Sequence, residues 1–127
     1  MTRVLIVDDE QDIRDTLRFI LEDAGYEVIE AGDGVIALEV LRASDVALVV
    51  LLDLLLPRLN GIDILKAAIA DPYHIGRHTY LLMTADNAIL RQQADPLLTQ
   101  VSAQVISKPF DVDNLLAMIA QASRFSA

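Results

Sequence analysis

The chain has 127 residues, enough for one domain with one modest core, and 54% of them are apolar, which argues against disorder. Its formal net charge of −9 sets the surface as a whole against nucleic acid phosphates, so direct nucleic acid binding is not expected. There is no cysteine for a disulfide or a thiolate metal site, and the longest apolar run, ALVVLL (47–52), falls far short of the roughly 20 residues of a membrane helix. With a carboxylate already at Asp8 no signal-peptide core fits, and the expectation is a cytoplasmic chain with no membrane partner.

Short β-branched runs alternate with segments of helical period. RVLIV (3–7) reads as a buried strand. A helix is predicted from about Asp12 to Ala24, with Ile13, Leu17, Ile20, Leu21 and Ala24 at three- and four-residue spacing and Gly25 as its stop. EVIEA (27–31) is the second strand, and Val35, Leu38 and Leu41 mark a second helix. VALVVLL (46–52) is the third strand and the most apolar, as a central strand covered on both faces should be. Ile62, Leu65 and Ile69 mark a third helix ending by Asp71-Pro72, and TYLLMT (79–84) is the fourth strand. Between Asn87 and Gln104 the pattern is weakest. Asp95-Pro96 falls inside it, and a residue before proline is pushed out of helix, so a broken helix is expected there. AQVIS (103–107) is the fifth strand. A final helix starts at Asp111 as N-cap, with Val112, Leu115, Leu116 and Ile119 inward and Asp113, Asn114, Ala117, Met118 and Gln121 outward.

Five strands alternating with five helices imply an α/β fold, a doubly wound parallel sheet with right-handed crossovers, in one domain over residues 1–127. Ligands of such sheets sit outside the carboxyl ends of the strands. Those ends carry Asp8-Asp9, Asp53, Thr84-Ala85 and Ser107-Lys108-Pro109. Taken singly, each has a plain explanation: a strand-terminal Asp forms turns and caps, a Lys is solvated, a Pro marks a turn. Asp53 resists that explanation, because it closes an apolar run on the central strand, where an unpaired charge costs on the order of several kcal/mol. Three carboxylates at close range repel one another, and a hard divalent cation such as Mg²⁺, together with Lys108, removes the conflict.

These motifs carry a resemblance. VLIVDDE (4–10), DLLLPRLNG (53–61), MTA (83–85) and SKPF (107–110), in that order, resemble the receiver domain of two-component response regulators, over essentially the whole chain. The resemblance implies a flavodoxin-like sheet of order 2-1-3-4-5. It implies that Asp53 accepts a phosphoryl group from a sensor histidine kinase or a histidine phosphotransfer protein. Asp9 would ligate Mg²⁺ directly, Asp8 through water, and Asp53 and the Leu55 backbone carbonyl would add ligands. Lys108 would pair with a phosphoryl oxygen, with a cis peptide to Pro109, and Thr84 would hydrogen-bond the attached phosphoryl group. Ala85 would leave the site open to a donor. By family analogy the kinase would dock at the first helix, with Arg14, Asp15 and Arg18 exposed beside the site.

The chain departs from the family pattern at Val105, three residues before the lysine, where receivers usually carry an aromatic switch. Valine has one stiff torsion and cannot make that swing. The stretch 86–104 also lacks the usual Gly-Ala-Asp turn and is slightly longer, and no charged dimerisation pattern stands out, so the output partner is unassigned. A phosphorylation-independent adaptor is the alternative. A Mg²⁺-dependent hydrolase is a third reading, weakened because Leu54, Leu55 and Leu56 follow Asp53 where a second acid is needed. His74 and His78 flank Gly76 in a predicted loop and read as surface residues, since no third ligand is spaced to help. Arg18 and Glu22 form an i,i+4 pair.

Overall fold

The computed structural model describes residues 2–84 and 88–126. Ala85 and Asn87 lie outside them. The elements in chain order are β1 (Arg3–Val7), α1 (Gln11–Asp23), β2 (Glu27–Ala31), α2 (Gly34–Ala43), β3 (Val49–Asp53), α3 (Gly61–Ala70), β4 (Thr79–Thr84), α4 (Ala88–Ala94), β5 (Ala103–Ser107) and α5 (Val112–Ser126). All strand pairs are parallel, and the sheet order is β2-β1-β3-β4-β5.

Strand alternation divides the core into two layers. Val4, Ile6, Val49, Leu51, Leu81, Met83 and Ile106 face α1 and α5, meeting Leu17, Leu21, Leu115 and Ile119. Leu5, Val7, Val50, Leu52 and Leu82 face the other way, onto Ala37 and Leu41 of α2 and Ile62, Leu65 and Ala68 of α3. Helices on both faces explain why β3 is apolar at every position before Asp53.

The helix boundaries have local causes. Asp33 caps α2 by accepting from Ile36 N, and Asn60 with Asp63 makes a capping box at α3. Asp111 caps α5, accepting from Asn114 N at 2.7 Å. As the proline implies, α4 stops at Ala94 and gives way to a 3₁₀ turn over Asp95–Leu97.

Three expectations are corrected. β3 begins at Val49, not at 46, because its length is set by the neighbour it pairs with, Val4–Val7 of β1, and Val46 is tied up in a turn with Ser44. On α5, Val112 is exposed at the first turn and Met118 is half-buried against the α1 side of the core. Arg18 pairs with Glu22 at 3.4 Å as predicted, and it makes a further, shorter contact of 2.6 Å to Glu30 on β2. His78 is fully buried, not at the surface. Its Nδ1 accepts from Leu48 N at 2.9 Å, which fixes the tautomer, so Nε2–H is shared between the Leu41 and His74 carbonyls at 3.0 Å each. This imidazole pins the entry of β3 to α2 and to the segment before β4. His74 is exposed, 3.1 Å from Asp71.

Burial drives the His78 pKa below its ordinary 6.5, helped by Arg77 and opposed by the Leu41 contact. Just below pH 6.5 the unfolded chain therefore binds the proton that the folded chain refuses, and stability falls as the pH drops through that range. His78→Leu is expected to cost about 1–3 kcal/mol at pH 7.5, because Leu48 N–H and the Leu41 carbonyl lose their partner. It should also flatten the slope of unfolding free energy between pH 7 and pH 5. Urea melts at several pH values check both.

Candidate functional site

The parallel order brings the carboxyl ends of β1 and β3 side by side, and the pleat decides which way their last side chains point. Asp8 and Asp53 share the parity of Ile6 and Leu51, on the α1/α5 side, and Lys108 beyond β5 shares that of Ile106. One carboxylate oxygen from each of Asp8, Asp9 and Asp53 lies within 4.8 Å of the others. Lys108 Nζ stands 3.1 Å from Asp53 Oδ2 and 3.5 Å from Asp8 Oδ2. The strand ends thus assemble four side chains that are distant in sequence.

The four differ in solvation. Asp8 is 1% exposed, Asp53 is half-buried, and Asp9 is exposed. Burial pushes the Asp53 carboxyl above the usual carboxylate range; Leu55 N–H at 3.0 Å and Lys108 pull it back, and Asp8 pushes it further up. Burial also works against the charge on Lys108, but Asp53 and Asp8 outweigh it and hold the ammonium above its ordinary pKa. An ion pair normally lowers its acid while raising its base. Here the acid is raised as well, because burial of Asp53 outweighs the pull of Lys108 and Leu55 N–H, with Asp8 a lesser addition.

Asp8 tests whether a cation fits. Its Oδ1 accepts from Glu10 N at 3.0 Å, whereas Oδ2 is buried with no hydrogen-bond partner and only the 3.5 Å ion pair to Lys108. A buried carboxylate oxygen left in that state is costly. It belongs to an all-oxygen donor set of hard ligands, which is the chemistry Mg²⁺ selects. The residues present fit the ion.

Thr84 ends β4 with the opposite parity, that of Leu82, and is 7% exposed. Its backbone carbonyl accepts from Lys108 N at 2.8 Å, which ties the lysine to the neighbouring strand. The Lys108–Pro109 peptide is cis. Leu55 is exposed two residues beyond Asp53, and Val105 is half-buried on β5, packed with the α2/α3 layer.

A family model described as "Response regulator receiver domain" matches residues 4–120. The chain belongs to that family. Response regulator MprA of Mycobacterium ulcerans is 35% identical over 117 residues, covering 91% of this chain and 47% of the relative. The chain therefore spans about half the length of the curated relatives it matches. Among solved structures it is similar to a CheY-like receiver domain protein from Methanospirillum hungatei (30% identity, TM-score 0.76, 98% of this chain and 94% of that one). It is also similar to full-length FixJ from B. japonicum (30% identity, TM-score 0.83, 98% and 59%). It is thus a receiver domain of two-component response regulators.

The receiver's site rests on residues that periodicity does not reveal. Arg58, in the loop after β3, adopts φ 66° and sends Nη1 to Asp33 Oδ2 at 3.0 Å. A Cβ on Gly34 would overlap the Leu59 carbonyl, so the β3–α3 loop lies directly on the start of α2. Arg14 was expected to be exposed beside the site. It is instead largely buried, bound to Glu30 at 3.1 Å and to the Asp8 carbonyl at 2.7 Å. The signal available in sequence was opposite charge on α1 and β2, which spacing alone does not pair.

Magnesium at a hundredfold excess over its Kd is expected to stabilise the wild type by about 2.7 kcal/mol, read as a rise in Tm of several degrees. Asp9→Ala should abolish that rise while leaving Tm in EDTA little changed, because Asp9 is exposed. Differential scanning calorimetry in EDTA and in MgCl₂ checks it.

Proposed function

We propose that Asp53 is the phosphoacceptor of this receiver and that a sensor histidine kinase or a histidine phosphotransfer protein is its donor. The observation that carries the reading is the Asp53 carboxylate at the end of β3, 3.1 Å from Lys108 and in reach of two further acids. An oxygen of Asp53 attacks the phosphorus of the phosphohistidine. The new O–P bond forms as the N–P bond breaks, and the imidazole nitrogen leaves with the electron pair. Lys108 neutralises an equatorial oxygen and keeps its charge through the step. Asp9, Asp53, Asp8 and the Leu55 carbonyl would hold Mg²⁺, Asp8 through water. When bound, the ion supplies positive charge to the phosphoryl oxygens and relieves the repulsion among the acids. The chain catalyses only its own phosphorylation and dephosphorylation.

Attachment adds about one negative charge and new acceptor oxygens at Asp53. Thr84 donates its hydroxyl to them, and this biases the segment after β4 towards a second arrangement that regulates a partner or output domain. The receiver unit is the whole of residues 1–127 and works in the cytoplasm beside its donor. Among the described residues no helix is long and apolar enough to cross a membrane. The net charge of −9 speaks against direct nucleic acid binding by this unit.

The donor docks beside the acid cluster. A groove of about 450 Å³ between α1 and the turn into α5 is lined by Ile13, Leu17, Ile20, Pro109 and Phe110, with Lys108 at its end. Phe19 is 74% exposed on the adjacent stripe of α1.

Val105 favours a second reading, an adaptor of the same fold that is never phosphorylated. Incubation with Mg²⁺ and acetyl phosphate followed by intact mass measurement separates the two. A single added phosphate, absent from Asp53→Asn, is the expected outcome, and no adduct from any donor would leave the adaptor. Multiple turnover on phosphate esters would instead mean a hydrolase. Ile20→Glu is expected to slow transfer from a phosphorylated histidine kinase about tenfold or more, since it buries a charge in the contact. It should leave labelling by acetyl phosphate unchanged.

A further inference from the structure

Asp9 is exposed and has no packing of its own to aim it, yet its carboxylate oxygen lies within 4.8 Å of those of Asp8 and Asp53. Its direction is set by the backbone that delivers it. The carbonyl of Asp8 belongs to the peptide plane joining Asp8 to Asp9, and Arg14 Nη1 donates to that carbonyl at 2.7 Å. On the other side Asp8 N–H donates to the Ala31 carbonyl at 3.2 Å. Both peptide groups flanking Asp8 are therefore anchored.

The Arg14 side chain is itself held on three sides. Nε donates to Glu30 Oε1 at 3.1 Å and Nη2 to Gln11 Oε1 at 2.6 Å, and the side chain is only 14% exposed. A Cβ on Gly32 would come within 3.3 Å of Nη1, closer than ordinary packing, so the glycine keeps the lane to Asp8 open. Glu30 also takes Arg18 at 2.6 Å. The planar fork suits this task, since its donors project in fixed directions to separate acceptors.

We propose that Arg14 is a positioning residue for the Asp8–Asp9 pair, holding the peptide between the two acids in the orientation that lets both face one divalent cation. This rests on the reading of the acid cluster as a Mg²⁺ site. Arg14 touches no substrate and acts through the backbone carbonyl, as outer-shell partners of metal ligands do.

The alternative role is a strap between α1 and β2, which Arg18 performs equally through the same Glu30 without reaching Asp8. Arg18→Met is therefore the control. Mg²⁺ affinity is measured by isothermal titration calorimetry on the whole chain, with the Asp9 amide resonance followed by NMR in the absence of the ion. Arg14→Met is expected to weaken Mg²⁺ binding about ten- to hundredfold and to shift the Asp9 amide. Arg14→Lys, which keeps a donor of similar reach, should recover part of the loss, and Arg18→Met should stay within about twofold of wild type. Should the methionine variant not fold, Arg14→Gln, polar but too short to reach the carbonyl, is read in the same way. Wild-type affinity in Arg14→Met, or an equal loss in Arg18→Met, overturns the positioning role alone. A wild type that takes up no Mg²⁺ overturns the metal-site reading and this role with it.

Discussion

Three carboxylates within the span of one ion, served by a single ammonium, are the constraint around which this chain is organised. In water the arrangement would be unremarkable, but Asp8 is almost fully covered and Asp53 half so. Their mutual repulsion is felt through a medium of lower effective dielectric. Burial of the carboxylate outweighs its pairing with Lys108, and Asp8 adds to it, which is why the Asp53 carboxyl is raised even with an ammonium 3.1 Å away. A fold optimised for stability alone would have no reason to keep this cluster. On the function proposed above, that cost is offset when charge arrives from outside, first as a cation and then as a phosphoryl group whose oxygens need one.

The sheet order makes the cluster possible. Because β1 and β3 are neighbours in register, Val7 beside Leu52, the next residues on the two strands come out side by side. The crossover from β4 to β5 returns Lys108 to the same rim, and its N–H is secured on the Thr84 carbonyl. Around this rim the loops are clamped by contacts that have little to do with the core. The β3–α3 loop lies on Gly34, is tied by Arg58 to Asp33, and enters α3 through the Asn60–Asp63 capping box. The Asp8–Asp9 turn is tied by Arg14. The apolar layers hold the strands, while the polar clamps hold what the strands end in.

This division explains what could be read in advance. Strand and helix identities follow from period and from Gly, Pro and capping residues, and the parallel order then brings Asp8, Asp9, Asp53 and Lys108 to one edge without any contact being known. The clamps were illegible for a physical reason. Arg58 takes a left-handed backbone that a β-branched or bulky residue rarely adopts, and nothing in its neighbours announces Asp33, 25 residues away. Arg14 and Glu30 are 16 residues apart on different elements. His78 misled because a lone histidine next to Gly76 resembles a loop residue, whereas its ring replaces backbone partners for Leu48 and Leu41. Long-range polar pairing leaves no periodic trace in the chain.

Val105 bears on how a change at this rim can travel. It is half-buried in a layer that also receives Leu90 of α4 and Leu97, Leu98 and Val101 of the turns that follow. An aromatic ring at that place can exchange a buried for an exposed position by rotating one bond. A valine has no such second state, since its methyl groups are locked at χ1. Any rearrangement begun beside Thr84 therefore meets close-packed aliphatic side chains, and these respond by moving as a unit. The unit available is the short α4 with its 3₁₀ extension, broken at Asp95-Pro96.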